Sequence, residues 1–262
     1  MSTITELIPG DILHQFLRQH MSSRLLVVSI SGAHAYGFPN KNSPLELKGI
    51  HIEPTENIVG LTQPPKSQSW IDEYEGFRID YSSLELGQGF NRLLRGDGSI
   101  LERILAPRHL LRGEDLRRMQ KVTRGIICRR FYNYYRNFAR GISSDFSEVR
   151  DRSVRHILSV YRTALTGVHL LMTGKVELDL MTLARKYRLS RIQELVESYR
   201  DEAKGRLKAT DPWINRIVKL HALMEQAIET TKLPIDPDNP GAVEEYLLDM
   251  RRRFFDALTI QQ

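Results

Sequence analysis

The chain has a single cysteine, Cys128, among 262 residues. An internal disulfide is therefore excluded, and with it the class of small secreted domains held together by such bridges. Long apolar runs are also missing. The longest early one, Leu25 to Ile30, is strand-sized and far below the ~18–20 residues of a bilayer span. The opening residues, MSTITELIPGDILHQ, have no basic stretch followed by an apolar one, so no secretory signal is expected. A soluble protein of a reducing, cytoplasmic compartment is the expectation. Glycine and proline, 17 and 11 in number, are not in excess, and no repeat stands out. Collagen-like and low-complexity classes are thereby excluded. At 41% hydrophobic residues the chain is too apolar for a disordered one and long enough to bury one large core or two modest ones.

What the chain does have is clustered positive charge. The overall balance is +6, from 38 Lys and Arg against 32 Asp and Glu. Residues 103–140 alone hold eleven basic residues opposed only by Glu114 and Asp115, a net +9. Such a segment is either an electrostatic footprint for phosphates or a set of solvated helices whose Arg stems cover apolar surface.

Hydrophobic periodicity divides the chain in two. Residues 4–20 have helical spacing, interrupted at Pro9-Gly10. Arg24 to Ile30 is an unbroken β-rich run, the pattern of a buried strand. Residues 31–44 form a turn region. Leu45 to Glu53 is a second strand, with Glu46, Lys48, Ile50 and Ile52 on one side. Residues 54–69 are expected as loop, and Phe77 to Ser82 as a third strand. From Leu84 the period is helical. Leu84, Gly87, Phe90, Leu93 and Leu94 make a stripe that ends at Gly96-Asp97-Gly98. Ser99 is placed to cap the next helix with Glu102 as its capping-box partner, and Ser190 with Gln193 repeats that spacing. Further helices are expected at about 114–140, 147–173, 179–186, 191–204, 211–230 and 240–259. The expected architecture is α+β: a domain over 1–112 with a small mixed sheet and flanking helices, then an all-α helical domain over 113–262.

The segment VVSISGAHAYGFPNKNSPLELKGIHI is a strand, a Gly-small turn and a second strand. It resembles the core of the DNA polymerase β nucleotidyltransferase superfamily, and more closely a family of predicted nucleotidyltransferases that includes RNA-ligase-associated members. Gly32, Ala35, Tyr36, Gly37, Ser43 and Gly49 stand where that family has Gly-Ser-x-Ala-Tyr-Gly and Ser-Asp-x-Asp-x-x-Gly. Asp80, Gly96-Asp97-Gly98 and Leu101-Glu102-Arg103-Ile104 occupy the places of its third-strand Asp, its turn and its Leu-Glu-x-Leu helix. The segment from Val154 to Leu180 is similar to its C-terminal region.

The resemblance implies nucleotidyl transfer, a reaction of positioning and charge stabilisation in which two hard cations clamp the attacking and leaving oxygens. Two Asp at i and i+2 of one strand reach the same face and so the same metal pair. This chain departs from the pattern where it matters. Ala33 stands for the turn Ser, Pro44 for the first Asp and Glu46 for the second; Asp80 alone is unchanged. Glu46 and Asp80 are thus the residual candidates for catalysis and for Mg²⁺, or else polar residues of a solvated strand face. Gly32, Ala33 and His34 are the candidate turn for a nucleotide, with Ser31 a substitute hydroxyl. His156 and Arg162 are candidates for a basic pair facing the cleft, or part of a solvated helix face. His51 is expected half-buried and Cys128 packed. Phe131, Tyr135 and Phe138 share one face and read as core.

Two functional readings follow. In the first, the carboxylates have degenerated and the cleft binds a nucleotide, RNA or a protein partner, with the basic 103–140 segment contributing. In the second, an active Mg²⁺-dependent enzyme uses Glu46 and Asp80 to transfer a nucleoside monophosphate from an NTP to RNA or protein.

Overall fold

The computed structural model describes residues 17, 23–74, 77–147, 153–189, 191–200 and 212–256. Four strands form one sheet: β1 (Arg24–Ser31), β2 (Leu45–Ile52), β3 (Ser67–Tyr74) and β4 (Phe77–Glu85). Their spatial order is β1-β2-β4-β3. β2 is antiparallel to β1 and parallel to β4, and β3 is antiparallel to β4. The sheet is therefore mixed, and the parallel central pair is buried from both sides, as such pairs require.

The two faces of the sheet differ. On one, Leu45, Leu47, Ile79, Tyr81, Val28 and Ile30 form a small core with Leu17, edged by Trp70, Leu110 and Leu111. Trp70 stacks on Tyr81 with ring centroids 4.9 Å apart. On the other face, Val27, Ile50, Ile52 and Leu84 join a larger core that runs through the helices to Phe254. Along this second face the side chains turn polar toward the start of β2. Register pairs Ser29 with Lys48, Ser31 with Glu46, and Glu46 with Asp80. Register partners point to the same side, so these residues share one floor.

Eleven helices accompany the sheet among the described residues: α1 (Gly32–Tyr36), α2 (Thr55–Val59), α3 (Leu86–Leu94), α4 (Gly98–Leu105), α5 (Glu114–Arg124), α6 (Phe131–Ser147), α7 (Val154–Thr173), α8 (Leu180–Lys186), α9 (Ile192–Arg200), α10 (Pro212–Thr230) and α11 (Gly241–Arg253). α7 is the helical centre, buried almost continuously from Ile157 to Leu171. Its N-cap is Ser153, whose hydroxyl accepts from the His156 amide. Gly167 lets α6 approach closely: a Cβ there would stand 2.6 Å from Tyr135 Cβ. α11 returns to the sheet end of the molecule. The Thr55 hydroxyl donates to the Arg251 carbonyl at 2.7 Å, and Arg251 pairs with Glu85 at 2.7 Å. No described helix is long and apolar enough to cross a membrane.

Several sequence expectations need correction. The single helix over 114–140 is two, because the chain turns after Arg124 at Gly125 and restarts at Phe131. The loop expected over 54–69 holds α2 and the start of β3; at the sheet edge, only one face of β3 needs apolar residues, and Trp70 supplies it. Within the 31–44 turn region, 32–36 is the short helix α1. Ser99 does not cap α4: Asp97 does, accepting from the Ser99 amide at 2.9 Å. Its carboxylate also binds Arg92, which holds it at the helix start. Glu102 is thereby free of the capping box. His51 is fully buried rather than half-buried, and Phe138 is 44% exposed rather than core, whereas Phe131 and Tyr135 are buried. Cys128 is buried, as expected. The helix over 4–20 lies, apart from Leu17, outside the described residues, as does Ser190.

Candidate functional site

The polar floor of the sheet is roofed by α4, α6 and α7. Between floor and roof lies a cavity of about 150 Å³, lined by Ser29, Ser31, Glu46 and Lys48 below, by Tyr36 at the side, and by Ser99, Glu102, Arg103, Tyr134, Phe138 and Arg162 above. The volume is below the roughly 300–1,000 Å³ of small-molecule pockets, so it admits a phosphate-sized group rather than a whole nucleotide.

Arg162 is the most enclosed charge. It donates to Glu102 Oε1 at 2.7 Å, and its guanidinium lies 4.1 Å from the centroid of Tyr36. Burial opposes its charge, but the Glu102 carboxylate, followed by Tyr36, outweighs burial and holds its pKa above the usual arginine range. Tyr36 is itself raised by burial, so its hydroxyl stays protonated, 3.4 Å from Ser31 Oγ. Such an ion pair removes one cation and one anion from the site's balance and stiffens the joint between α4 and α7.

The other two cations are not neutralised. Arg103 donates to the Gly49 carbonyl at 2.7 Å, and burial, helped by nearby Arg92, pushes its pKa down to about 10. At neutral pH it remains charged. Among the described residues neither Arg103 nor Lys48 has a carboxylate within ion-pair distance. Lys48 is half-buried and projects from the same side of β2 as Glu46. Its role was not read from the sequence, although its place two residues after Glu46 on a strand was a sufficient signal.

Glu46 lies directly against Gly32, where an added Cβ would collide with Glu46 Oε1. Gly32 has φ +62°, a region that glycine enters without strain. The glycine at the head of the turn thus makes room for the longer carboxylate on β2. Asp80 is Glu46's register partner on β4 but does not line the cavity. Pro44 offers no donor, and no group of three or more His, Cys, Asp and Glu side chains converges among the described residues.

Apart from Ser31, which lines the cavity, the remaining sequence candidates lie around it. Ala33 packs against the larger core. His34 turns toward the loop before β2, its Nε2 3.2 Å from the Ser43 carbonyl, and burial lowers its pKa. His156 is engaged by its own helix cap, with Nδ1 2.9 Å from Ser153 Oγ. Arg155 is exposed while Arg162, two turns on, is buried. Of the named candidates, Ser31, Glu46 and Arg162 meet at the cavity.

The basic 103–140 segment is divided among partners. Arg118 pairs with Asp249, Arg130 with Asp236, and Arg136 and Arg140 with Glu225. Arg129 donates to the carbonyls of Leu233 and Thr231 at 2.8 and 3.1 Å. These bonds tie α5 and α6 to the C-terminal third of the chain.

The model of the RNA repair pathway DNA polymerase beta family matches residues 10–249. Among solved structures, the chain is similar to a nucleotidyltransferase-like protein from Exiguobacterium sibiricum 255-15, at 11% identity and a TM-score of 0.30, over 92% of this chain and 78% of that one. A likeness of that size carries no weight about activity. No curated protein matches the chain.

Proposed function

Given that the chain belongs to the RNA repair pathway DNA polymerase beta family, with that family's nucleotidyltransferase-like fold, we propose that its cleft binds the phosphate chain of a nucleotide through its own cations and has lost the metal cage for transfer. The observation that carries this reading is the position of Lys48 and Arg103, two cations without a carboxylate in ion-pair distance among the described residues, at a cavity of about 150 Å³. The lining side chains Lys48, Arg103 and Arg162 against Glu46 and Glu102 leave the cavity net positive.

The residues do not fit a pair of Mg²⁺ ions. Such a pair needs several hard oxygen donors at near-octahedral geometry. Here Pro44 contributes none, Glu46 leans on Gly32, and Lys48 brings an ammonium to the same strand face. A cation fixed on the strand supplies the charge that phosphates need, but it cannot activate an attacking hydroxyl. Binding without transfer follows.

A second reading keeps the enzyme active, and one observation favours it: Glu46 and Asp80 are register partners on adjacent strands and so share one face of the sheet. Calorimetric titration of the full chain with ATP and GTP, in EDTA and in Mg²⁺ or Mn²⁺, separates the two. Metal-independent binding without label transfer supports the first. Binding that requires metal, with label transfer to RNA or protein abolished by Glu46→Gln and by Asp80→Asn, establishes the second. Absence of binding under every condition refutes both and leaves a scaffold.

A further inference from the structure

Beside the cleft lies a second, larger concavity of about 600 Å³. Taking the cleft as a phosphate site, we infer that this concavity seats a single-stranded nucleic acid whose terminal phosphate group enters the cleft. The two spaces share a wall: Tyr134 and Phe138 line both. A strand lying in the outer space therefore has a direct route to Lys48 and Arg103. The cleft is too small for a whole nucleotide, and the outer concavity lies within the roughly 300–1,000 Å³ that holds nucleotide-sized groups.

The chemistry of the wall suits such a strand. Phe138 is 44% exposed on a helix face whose neighbours are core, and its ring is stacked on Tyr134 at 5.9 Å and 21°. A half-exposed ring backed by another is a stacking platform for bases, which all present a π-face. Asn133 and Asn137, both exposed and one turn apart on α6, bring amide donors and acceptors to base edges. Arg95, at the C-cap of α3, lines the same concavity, is exposed, and has no carboxylate in ion-pair range among the described residues. Arg92 and Arg130 also line the concavity, each paired with one aspartate, Asp97 and Asp236. The concavity thus combines counter-charge for the backbone with a stacking surface, the two elements that sequence-tolerant strand binding uses. An acidic peptide would use the arginines but gain little from the ring pair.

The test is fluorescence anisotropy of the full chain with fluorescein-labelled decamers of uridylate and of thymidylate, across a salt series. Binding should fall steeply with salt, and Arg95→Ala should lower the slope by about 1. Phe138→Ala should weaken binding roughly 5- to 150-fold, the span of one lost base stack. Phe138→Leu, which keeps an apolar side chain, guards against an effect of folding and should be weakened as well. Binding of inorganic phosphate to the cleft, followed by calorimetry, should be unaffected by Arg95→Ala. The inference is overturned if neither decamer is retained at low salt, if a duplex binds more tightly than the single strands, or if polyglutamate binds as well as the decamers and ignores Phe138→Ala. Loss of phosphate binding alone, with decamer binding still sensitive to Phe138, would instead remove the reading of the cleft and leave the strand site standing without its terminal-phosphate pocket.

Discussion

β2 carries a buried polar cluster on each of its faces, and the two are built differently. On one face His51 Nδ1 lies 2.7 Å from Ser83 Oγ, and His51 Nε2 lies 3.6 Å from Glu53. Ser23 donates to the same Glu53 carboxylate, and Gln68 donates to both Ser23 and Glu53. None of these side chains lines the cavities above; their polar atoms face one another. On the other face Glu102 and Arg162 are paired, whereas Lys48 and Arg103 line the cavity with no carboxylate in ion-pair distance among the described residues. A Ser–His–Glu string is a more familiar sign of chemistry than a lone lysine. Here the string is closed to solvent and the lysine faces a cavity. Residue type alone did not distinguish a structural cluster from a candidate site; access did.

The comparison can be broken most severely at Glu102. Glu102→Ala should strand Arg162 as an unpaired buried charge and cost about 3–5 kcal/mol in urea denaturation at pH 7. The double variant Glu102→Leu with Arg162→Leu should recover much of that loss. A single-variant cost below about 1 kcal/mol would mean that water reaches the pair.

On the closed face the lever is pH. Burial, reinforced by Arg103 and Arg251, holds His51 down at about 4 against an ordinary 6.5. Between those values the unfolded chain binds the proton and the folded one does not. Stability therefore rises with pH across the window: this contribution is complete above 6.5 and is lost as pH falls toward 4. At ~1.4 kcal/mol per unit, the loss is on the order of 3 kcal/mol. Urea midpoints measured from pH 7 to pH 4.5 should show a shallower slope for His51→Gln than for the natural chain. Equal slopes would assign the acid sensitivity to other groups.

Lys48→Met sharpens the open face. A hydrogen bond to a charged group contributes ~1.5–3 kcal/mol, so metal-free ATP binding should weaken roughly 10- to 150-fold, with little change in Tm. Unchanged affinity would take Lys48 out of the site. The smallest effect is expected at Gly32→Ala. Its left-handed φ should cost about 1–2 kcal/mol, with an added share from displacing Glu46. In a Glu46→Ala background only the backbone share should remain; an identical cost in both would mean that Glu46 swings aside freely.

Much of the sheet was legible because strands announce themselves locally. Val27, Val28 and Ile30 in a row, then the alternation of β2, place two of the four strands without reference to anything distant, and Phe77 to Ser82 places most of a third. β3 was not legible: as an edge strand it needs one apolar face, and SQSWIDEY offers little more than Trp70. The break between α5 and α6 was hidden because apolar positions continue in helical spacing across Gly125, and only packing decides that the chain turns there. The candidate site was legible in outline. The Gly32-to-Gly49 motif lies at the sheet end that carries the cavity, and its Pro44 and Glu46 stand where the resembled family has Asp. The convergence of Lys48 with Arg103, 55 residues later, was not.

The sequence by itself determined the mixed α/β character, the family motif with its missing aspartates, and an excess of positive charge in 103–140. These are properties of residue type and short spacing, which repeat with the 2.0- and 3.6-residue periods of strands and helices. Only the tertiary structure decided which of those charges are neutralised. Arg118, Arg130, Arg136 and Arg140 find carboxylates beyond residue 220, and Arg162 finds Glu102 across 60 residues. Long side chains with several donors can meet a partner from anywhere in the chain, so their pairing is written in the packing of helices and not in sequence distance. Lys48 and Arg103, which line the cavity with no carboxylate in ion-pair distance among the described residues, are what make the sheet's polar end a candidate site.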